Sequence, residues 1–139
     1  MADLIEVIPK TSLTFDGRAN STEAIVLRDQ IDMIPYATAS LEVLVAGKGS
    51  MLDSATARVD VRNESRSPEA PGVAFVAQTA IATVSFTGLT AVPSLLTSPL
   101  SAPIGPMVRV LLVWLQGTAE AGSGQEVTIA VRLIGRRGL

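Results

Sequence analysis

The segment ATARVDVRN, residues 55–63, alternates apolar and polar side chains with a period of two. Ala or Val occupies positions 55, 57, 59 and 61, whereas Thr, Arg, Asp and Arg fill the positions between 55 and 63. Successive side chains of a β-strand point to opposite faces. The alternation therefore predicts a strand that is buried on one face and wet on the other.

Two further segments repeat this pattern. TASLEVLVA, residues 38–46, and QEVTIAVRLI, residues 125–134, each place branched apolar side chains at every second position. Between the first of these and residues 55–63 lies GKGSMLDS, in which Gly47 and Gly49 are typical of a turn. The spacing predicts that residues 38–46 and 55–63 form a hairpin.

Two other segments are apolar on both faces. MVRVLLVWLQ, residues 107–116, carries Arg109 as its sole charge, and VAFVAQTAIATVSFT, residues 73–87, carries no charge. Strands of this kind are covered on both sides, either by their own domain or by another chain. They are the first indication that this protein contacts other copies or partners.

Together with shorter apolar segments at 4–15 and 23–36, these patterns indicate seven or eight strands separated by Gly- and Pro-bearing turns. This is typical of an all-β, antiparallel β-sandwich or jelly-roll-like barrel. The 139 residues fit one domain, residues 1–139. A two-turn helix at residues 27–34, ended by Pro35, is the local alternative.

The stretch TAVPSLLTSPLSAPIGPM, residues 90–107, combines five large apolar side chains with four prolines. Proline lacks the backbone donor that helices and central strands need, so the stretch is predicted to be a long apolar loop or arm. Its apolar side chains are expected to be buried, because an exposed apolar patch promotes association with other molecules. The cover is either an open end of the same sandwich or another subunit, and the sequence leaves both open.

We therefore predict an interface that combines the Pro-rich stretch with one face of residues 107–116. Charged residues make up 17% of the chain, below the usual level of about 25%. The partner is predicted to be a copy of the chain in a trimer or a dimer, or a larger protein shell. The predicted interface residues are Pro93, Leu95, Leu96, Pro99, Leu100, Pro103, Ile104, Met107, Leu111, Val113 and Leu115.

The composition excludes most catalytic chemistry. The chain has no His and no Cys, so it lacks the usual general base, the usual nucleophile pairs and the preferred zinc ligands. The close carboxylates, Asp29 with Asp32 and Glu64 with Glu69, are interpreted as surface charge. With a net charge of −2, nothing attracts the chain to nucleic acid. We predict no enzyme activity, no cofactor, no metal and no nucleic-acid partner.

The N-terminal residues MADLIEVIPK do not resemble a secretory signal, because acidic residues replace the basic ones and the apolar run is short. The longest apolar run, 94–115, is broken by three prolines and Arg109, which argues against a membrane span. The sequence thus predicts synthesis in the cytoplasm and no membrane partner.

The leading hypothesis is a non-enzymatic structural protein that assembles as a symmetric homo-oligomer. Small all-β chains of this kind serve as virion components, for example as decoration or stabilising proteins on a phage capsid. The alternative is a monomeric β-sandwich that binds a carbohydrate or an apolar ligand, which requires an apolar cavity or an exposed aromatic ring. Trp114 lies in the most apolar segment, so it is predicted to be in the core or in an interface.

Overall fold

A computed structural model describes residues 2–15, 18, 20–47, 56–64, 80–86, 93–117 and 125–138. No helix in these ranges is long and apolar enough to cross a bilayer. The alternative helix at 27–34 is wrong, because residues 27–32 belong to a strand. The described strands are β1 (Ala2–Phe15), β2 (Thr22–Asp32), β3 (Thr38–Gly47), β4 (Thr56–Asn63), β5 (Ala80–Ser85), β6 (Ser94–Pro99), β7 (Met107–Leu115) and β8 (Gln125–Arg136).

The strands form two four-stranded sheets. Sheet I has the order β1-β8-β3-β6 and sheet II the order β2-β7-β4-β5. All neighbouring strands are antiparallel. Eight strands that cross repeatedly between two such sheets make a jelly-roll sandwich. The predicted fold class is confirmed.

The predicted hairpin of residues 38–46 and 55–63 is wrong. β3 pairs with β8 and β6 in sheet I, whereas β4 pairs with β7 and β5 in sheet II. A glycine-rich turn indicates that the chain reverses, but not whether it stays in one sheet. Here β3 and β4 belong to different sheets, so the chain passes from one sheet to the other between them.

The core lies between the inner faces of the two sheets. Side chains such as Val43 on β3, Val59 on β4 and Leu112 on β7 are fully buried there. Trp114 is also fully buried, and its ring stacks on Phe15 with the centroids 4.6 Å apart. The prediction of Trp114 as a core residue is confirmed.

Part of the Pro-rich stretch is a strand, contrary to expectation. Residues 94–99 form β6, which pairs with β3 from Ser40 opposite Pro99 to Val45 opposite Ser94. β6 is an edge strand, and Pro93 and Pro99 lie at its two ends, where a missing N–H removes no necessary hydrogen bond. Residues 90–92 lie outside the described residues, as do residues 73–79 of the predicted strand that contains β5.

Candidate interaction surface

The structure divides the predicted interface residues into three groups by exposure. Leu95 is the most accessible large side chain among them, 55% exposed, whereas Leu100, Leu111 and Val113 are 9% or less exposed. Pro93, Pro99 and Pro103 are also exposed, and Leu96, Ile104, Met107 and Leu115 are half-buried. The predicted set is therefore not one surface of the folded chain.

The segment that follows β6 lies against its own sandwich. The Leu100 N–H donates to the Ala39 carbonyl at 2.9 Å, and the Ser101 N–H donates to the Ile81 carbonyl at 2.7 Å. Leu100 belongs to the core, and Ile104 packs against it. These contacts bury Leu100 and partly bury Ile104 against their own chain, whereas residues 101–103 stay exposed.

Asn63 holds the same segment in place at the end of β4. Its side-chain Nδ2 donates to the Pro103 carbonyl at 3.0 Å, and its Oδ1 accepts a hydrogen bond from the Gly105 N–H at 2.7 Å. One amide side chain thus satisfies a carbonyl and an N–H that lie close together in a loop. Gly105 favours this approach, since a Cβ there would lie 3.0 Å from Asn63 Oδ1 and would push the amide back by a few tenths of an ångström.

The outer face of sheet II carries a charged cluster that the sequence analysis missed. Asp60 on β4 is 1% exposed. Its Oδ2 accepts hydrogen bonds from Arg58 Nε at 3.2 Å and Arg62 Nη2 at 2.7 Å, and its Oδ1 accepts one from Thr83 at 3.0 Å. A buried carboxylate with three donors organises β4 and its neighbour β5.

A second carboxylate completes this cluster. Glu64, with 8% of its side chain exposed, accepts hydrogen bonds from Arg109 Nη2 at 2.8 Å and from the Gln30 N–H at 3.0 Å. The interpretation of Glu64 as surface charge is wrong, whereas the Asp29 side chain is 55% exposed. Glu69 lies outside the described residues. The available signal was Arg109, a lone charge in an apolar strand, which needs a buried carboxylate partner.

The outer face of sheet I has a different character. It contains a groove of about 720 Å³ whose apolar lining includes Leu4, Leu44, Leu95 and Ala130. Leu4 on β1 and Leu95 on β6 are 66% and 55% exposed, and these strands are the two edges of the sheet. Two exposed leucines at the edges of the sheet thus project further than the side chains between them.

The strand register explains the groove. Leu95, Leu44 and Ala130 form one row across the sheet, because Leu44 lies opposite Leu95 on one side and opposite Ala130 on the other. The small Ala130 side chain lowers the floor between Leu44 and the irregular part of β1 that contains Pro9. Leu44 breaks the polar pattern of the outward positions of β3, a signal that the sequence analysis did not use.

The charges that line the groove are balanced. Arg132 on β8 lies opposite Glu6 on β1 and opposite Glu42 on β3. Its guanidinium forms an ion pair with Glu42. Lys10, an exposed residue, also lines the groove, so two carboxylates face two cations.

Beside this face, Tyr36 ties the β2–β3 turn to β1 and β8. Its hydroxyl donates to Asp3 Oδ2 at 3.0 Å, and Arg137 Nη2 reaches the same oxygen at 3.1 Å. The Tyr36 hydrogen bond, followed by that of Arg137, lowers the pKa of Asp3. Burial and the bond to Asp3 raise the pKa of Tyr36. The ring lies on Gly135, where a Cβ would be 2.5 Å from it.

Other site chemistry is sparse in the part of the chain that the structure describes. No group of three or more metal-ligating side chains occurs there. The described residues that line the groove include no aromatic ring on which a sugar could stack. The most distinctive accessible feature is therefore the outer face of sheet I.

No protein-family model matches this chain, and no curated protein matches its sequence. Its fold is similar to solved structures of infectious bursal disease virus. Against the VP2 subviral particle the TM-score is 0.62 with 14% identity, over 96% of this chain and 32% of that chain.

Two further structures of the same virus agree with this match. The Gx strain gives a TM-score of 0.57 with 15% identity, over 99% of this chain and 32% of that chain. The T13 viral particle gives 0.58 with 14% identity, over 96% and 30%. This chain spans about a third of the length of the viral chains it matches. At these identities the similarity establishes the jelly-roll fold.

Proposed function

We propose that this chain is a non-enzymatic structural protein that assembles with copies of itself into a symmetric oligomer and forms part of a virion. The observation that carries the proposal is the jelly-roll sandwich, which aligns over 96% of its length with VP2 of a subviral particle. Jelly rolls recur among proteins that build viral shells.

The surface supports assembly. Leu4 and Leu95, which are 66% and 55% exposed, line one groove on the outer face of sheet I. Exposed apolar side chains that lie together on a surface usually mark a contact with another protein. The low fraction of charged residues, 17%, favours the same interpretation.

The finer proposal concerns the place of the chain in the particle. The inner side of a shell faces nucleic acid, which attracts basic proteins. A chain with a net charge of −2 is better suited to the outer side. We therefore place it there as a decoration or stabilising protein that clamps neighbouring subunits of a larger shell, as on a phage capsid.

Light scattering coupled to size-exclusion chromatography tests the assembly. At micromolar concentration we expect a mass that is a small multiple of 14.5 kDa. A 14.5 kDa species at every concentration would contradict homo-oligomerisation. The virion role is tested separately by protein stoichiometry in purified particles, where we expect a fixed copy number. Absence from the particles would contradict that role.

An apolar-ligand module is the second candidate, because the groove volume of about 720 Å³ falls in the range of small-molecule sites. This candidate requires a monomer that binds one anilinonaphthalene sulfonate molecule in the groove. Leu44→Asp would then abolish the fluorescence of the bound dye. An oligomer that does not bind the dye excludes this candidate.

A further inference from the structure

We propose that the outer face of sheet I is the contact between two copies of the chain, related by a two-fold axis that runs along β3. In this arrangement Leu95 of each copy lies over Ala130 of the other, and the two Leu44 side chains face each other. The inference rests on the proposed function, since it identifies the surface through which the oligomer forms.

The row across the sheet is self-complementary in size. Its order is Leu95, Leu44 and Ala130, which is large, large and small. When a two-fold axis reverses this row over itself, each large end meets a small end. Contacts of this kind are what a two-fold interface requires, because residue i meets residue j and j meets i. Packed sheets interdigitate in the same way at a separation of about 10 Å.

The charges on this face also allow it to contact the same face of a second copy. The groove contains Glu6, Glu42, Lys10 and Arg132, and Glu42 is already ion-paired with Arg132 on its own chain. The axis along β3 places the Glu42 residues of the two copies opposite each other, and each of them is balanced by Arg132 of its own chain. A strongly acidic or strongly basic partner would gain nothing from this balance.

The axis along β3 determines which strands overlap. β8, β3 and β6 of one copy lie over β6, β3 and β8 of the other, and these strands contain 12, 10 and 6 residues. At about 3.3 Å along a strand and 4.8 Å between strands, they cover roughly 440 Å² in plan. A standard interface buries about 800 Å² of accessible surface on each partner, so we expect a weak dimer that forms at micromolar concentration.

The edge strands are less suited than this face to contact a second copy. β1 is irregular between Glu6 and Thr11, where Pro9 and Lys10 are exposed. The Arg28 side chain of β2 also donates to the Glu6 carbonyl there. Irregular strands with Pro and Lys resist pairing with another chain.

The edge strands on the opposite side of the two sheets, β5 and β6, are covered or short. On β5, the Ile81 carbonyl accepts a hydrogen bond from the Ser101 N–H. β6 has six residues, with Pro93 before it and Pro99 at its end. Pairing of one sheet edge with another is thus disfavoured at β1, β5 and β6.

The natural absence of cysteine allows a direct test. Leu95→Cys and Ala130→Cys are introduced into separate chains, which are mixed and treated with a short bismaleimide cross-linker. A disulfide is unsuitable, because it needs Cα atoms within about 7 Å of each other and packed sheets lie about 10 Å apart. We expect a covalent dimer that contains one chain of each kind. The matched control replaces Ala130→Cys by Val26→Cys, a site on sheet II that is 45% exposed, and should yield no such dimer.

Leu95→Asp gives an independent readout. It should raise the dissociation constant by about tenfold or more, as at interface hot spots, and leave the circular dichroism spectrum unchanged. Val26→Asp is its control and should not change the oligomer mass. An oligomer that resists Leu95→Asp and forms no cross-link overturns this inference but leaves the proposed function intact. A wild-type chain that is always monomeric overturns both.

Discussion

Arg62 on β4 lies directly opposite Arg109 on β7, and each is 7% exposed. Like charges opposite each other in a sheet repel. The structure balances them with Asp60, which bonds Arg62 at 2.7 Å, and Glu64, which bonds Arg109 at 2.8 Å. Specific ion pairs therefore hold together the outer face of sheet II, whereas the outer face of sheet I carries exposed leucines. The two outer faces of the sandwich therefore differ in their side chains.

Asp60→Ala is expected to lower the free energy of unfolding by about 3–5 kcal/mol, because it removes the carboxylate that pairs with the buried Arg62. The measurement is urea denaturation followed by circular dichroism. Asp29→Ala is the matched control, since the Asp29 side chain is 55% exposed and lies 3.9 Å from Arg109. Its effect should stay within about 1 kcal/mol, as for other exposed pairs. Equal effects of the two variants would contradict a structural role for the Asp60 cluster.

Gly135→Ala is expected to displace the Tyr36 ring, which lies 2.5 Å from the position of the new Cβ. Overpacking of this kind usually lowers the free energy of unfolding by about 1–3 kcal/mol. Thermal unfolding measures the loss.

Gly138→Ala is the control, because its Cβ would meet Ala37 at an ordinary 3.4 Å. If the Tyr36 ring is the obstacle, the effects of Gly135→Ala and Tyr36→Ala should be non-additive in the double variant. Additive effects would show that the clash does not involve Tyr36.

The Asp3–Tyr36 hydrogen bond predicts a pH dependence. The folded pKa of Asp3 lies below its ordinary value of 3.8, chiefly because of the Tyr36 bond. Its stabilisation is therefore present above that value and is lost as the pH falls through the folded pKa. The folded pKa of Tyr36 lies above its ordinary value of 10.0, chiefly because of burial. Its stabilisation is present below that value and is lost as the pH rises.

The difference in unfolding free energy between wild type and Tyr36→Phe measures this effect. We expect the difference to be largest between the ordinary values of 3.8 and 10.0 and to shrink on both sides. Tyr36→Phe keeps the ring over Gly135 and removes the hydroxyl alone, so packing cancels in the comparison. A difference that is constant with pH would show that the hydroxyl does not stabilise the Asp3 carboxylate.

The strands were predictable because their signal is local. Alternation at 38–46, 55–63 and 125–134 marks β3, β4 and β8, and each buries the predicted apolar face. The prediction of a wet second face is wrong for β4, because Asp60 and Arg62 on that face are 1% and 7% exposed and form ion pairs. The pairing was not predictable in the same way. A glycine-rich segment such as residues 47–54 has the same composition whether the chain returns to its own sheet or crosses to the other, so the hairpin prediction failed.

The interaction surface was only partly predictable, since it depends on register. Leu95 was identified as an apolar residue that needs cover, but its row with Leu44 and Ala130 exists only once β6, β3 and β8 are aligned. Likewise, Arg62 and Arg109 are distant in sequence, and nothing local indicates that they are neighbours. The prediction of a loop at residues 94–99 was wrong, because a proline at the end of an edge strand removes no hydrogen bond that the sheet needs.

Leu100 and Leu95 provide the last prediction, since both belong to the Pro-rich stretch but differ in burial. Leu100 is 9% exposed and part of the core, so Leu100→Ala is expected to lower the free energy of unfolding by about 2–5 kcal/mol. Leu95 is 55% exposed, so Leu95→Ala should change the stability of the isolated chain by about 0.5 kcal/mol or less. Denaturation at concentrations below the oligomer dissociation constant compares the two.

The double variant Leu100→Asp with Ile104→Asp extends this comparison to the two explanations of the stretch. If residues 100–104 cap their own sandwich, as the bond from the Leu100 N–H to the Ala39 carbonyl indicates, the variant should unfold even as a monomer. A variant that stays folded as a monomer but no longer assembles would show that this segment acts between chains. Leu95→Asp should behave in the opposite way, with a folded chain and a weakened oligomer, because its side chain leaves the core untouched.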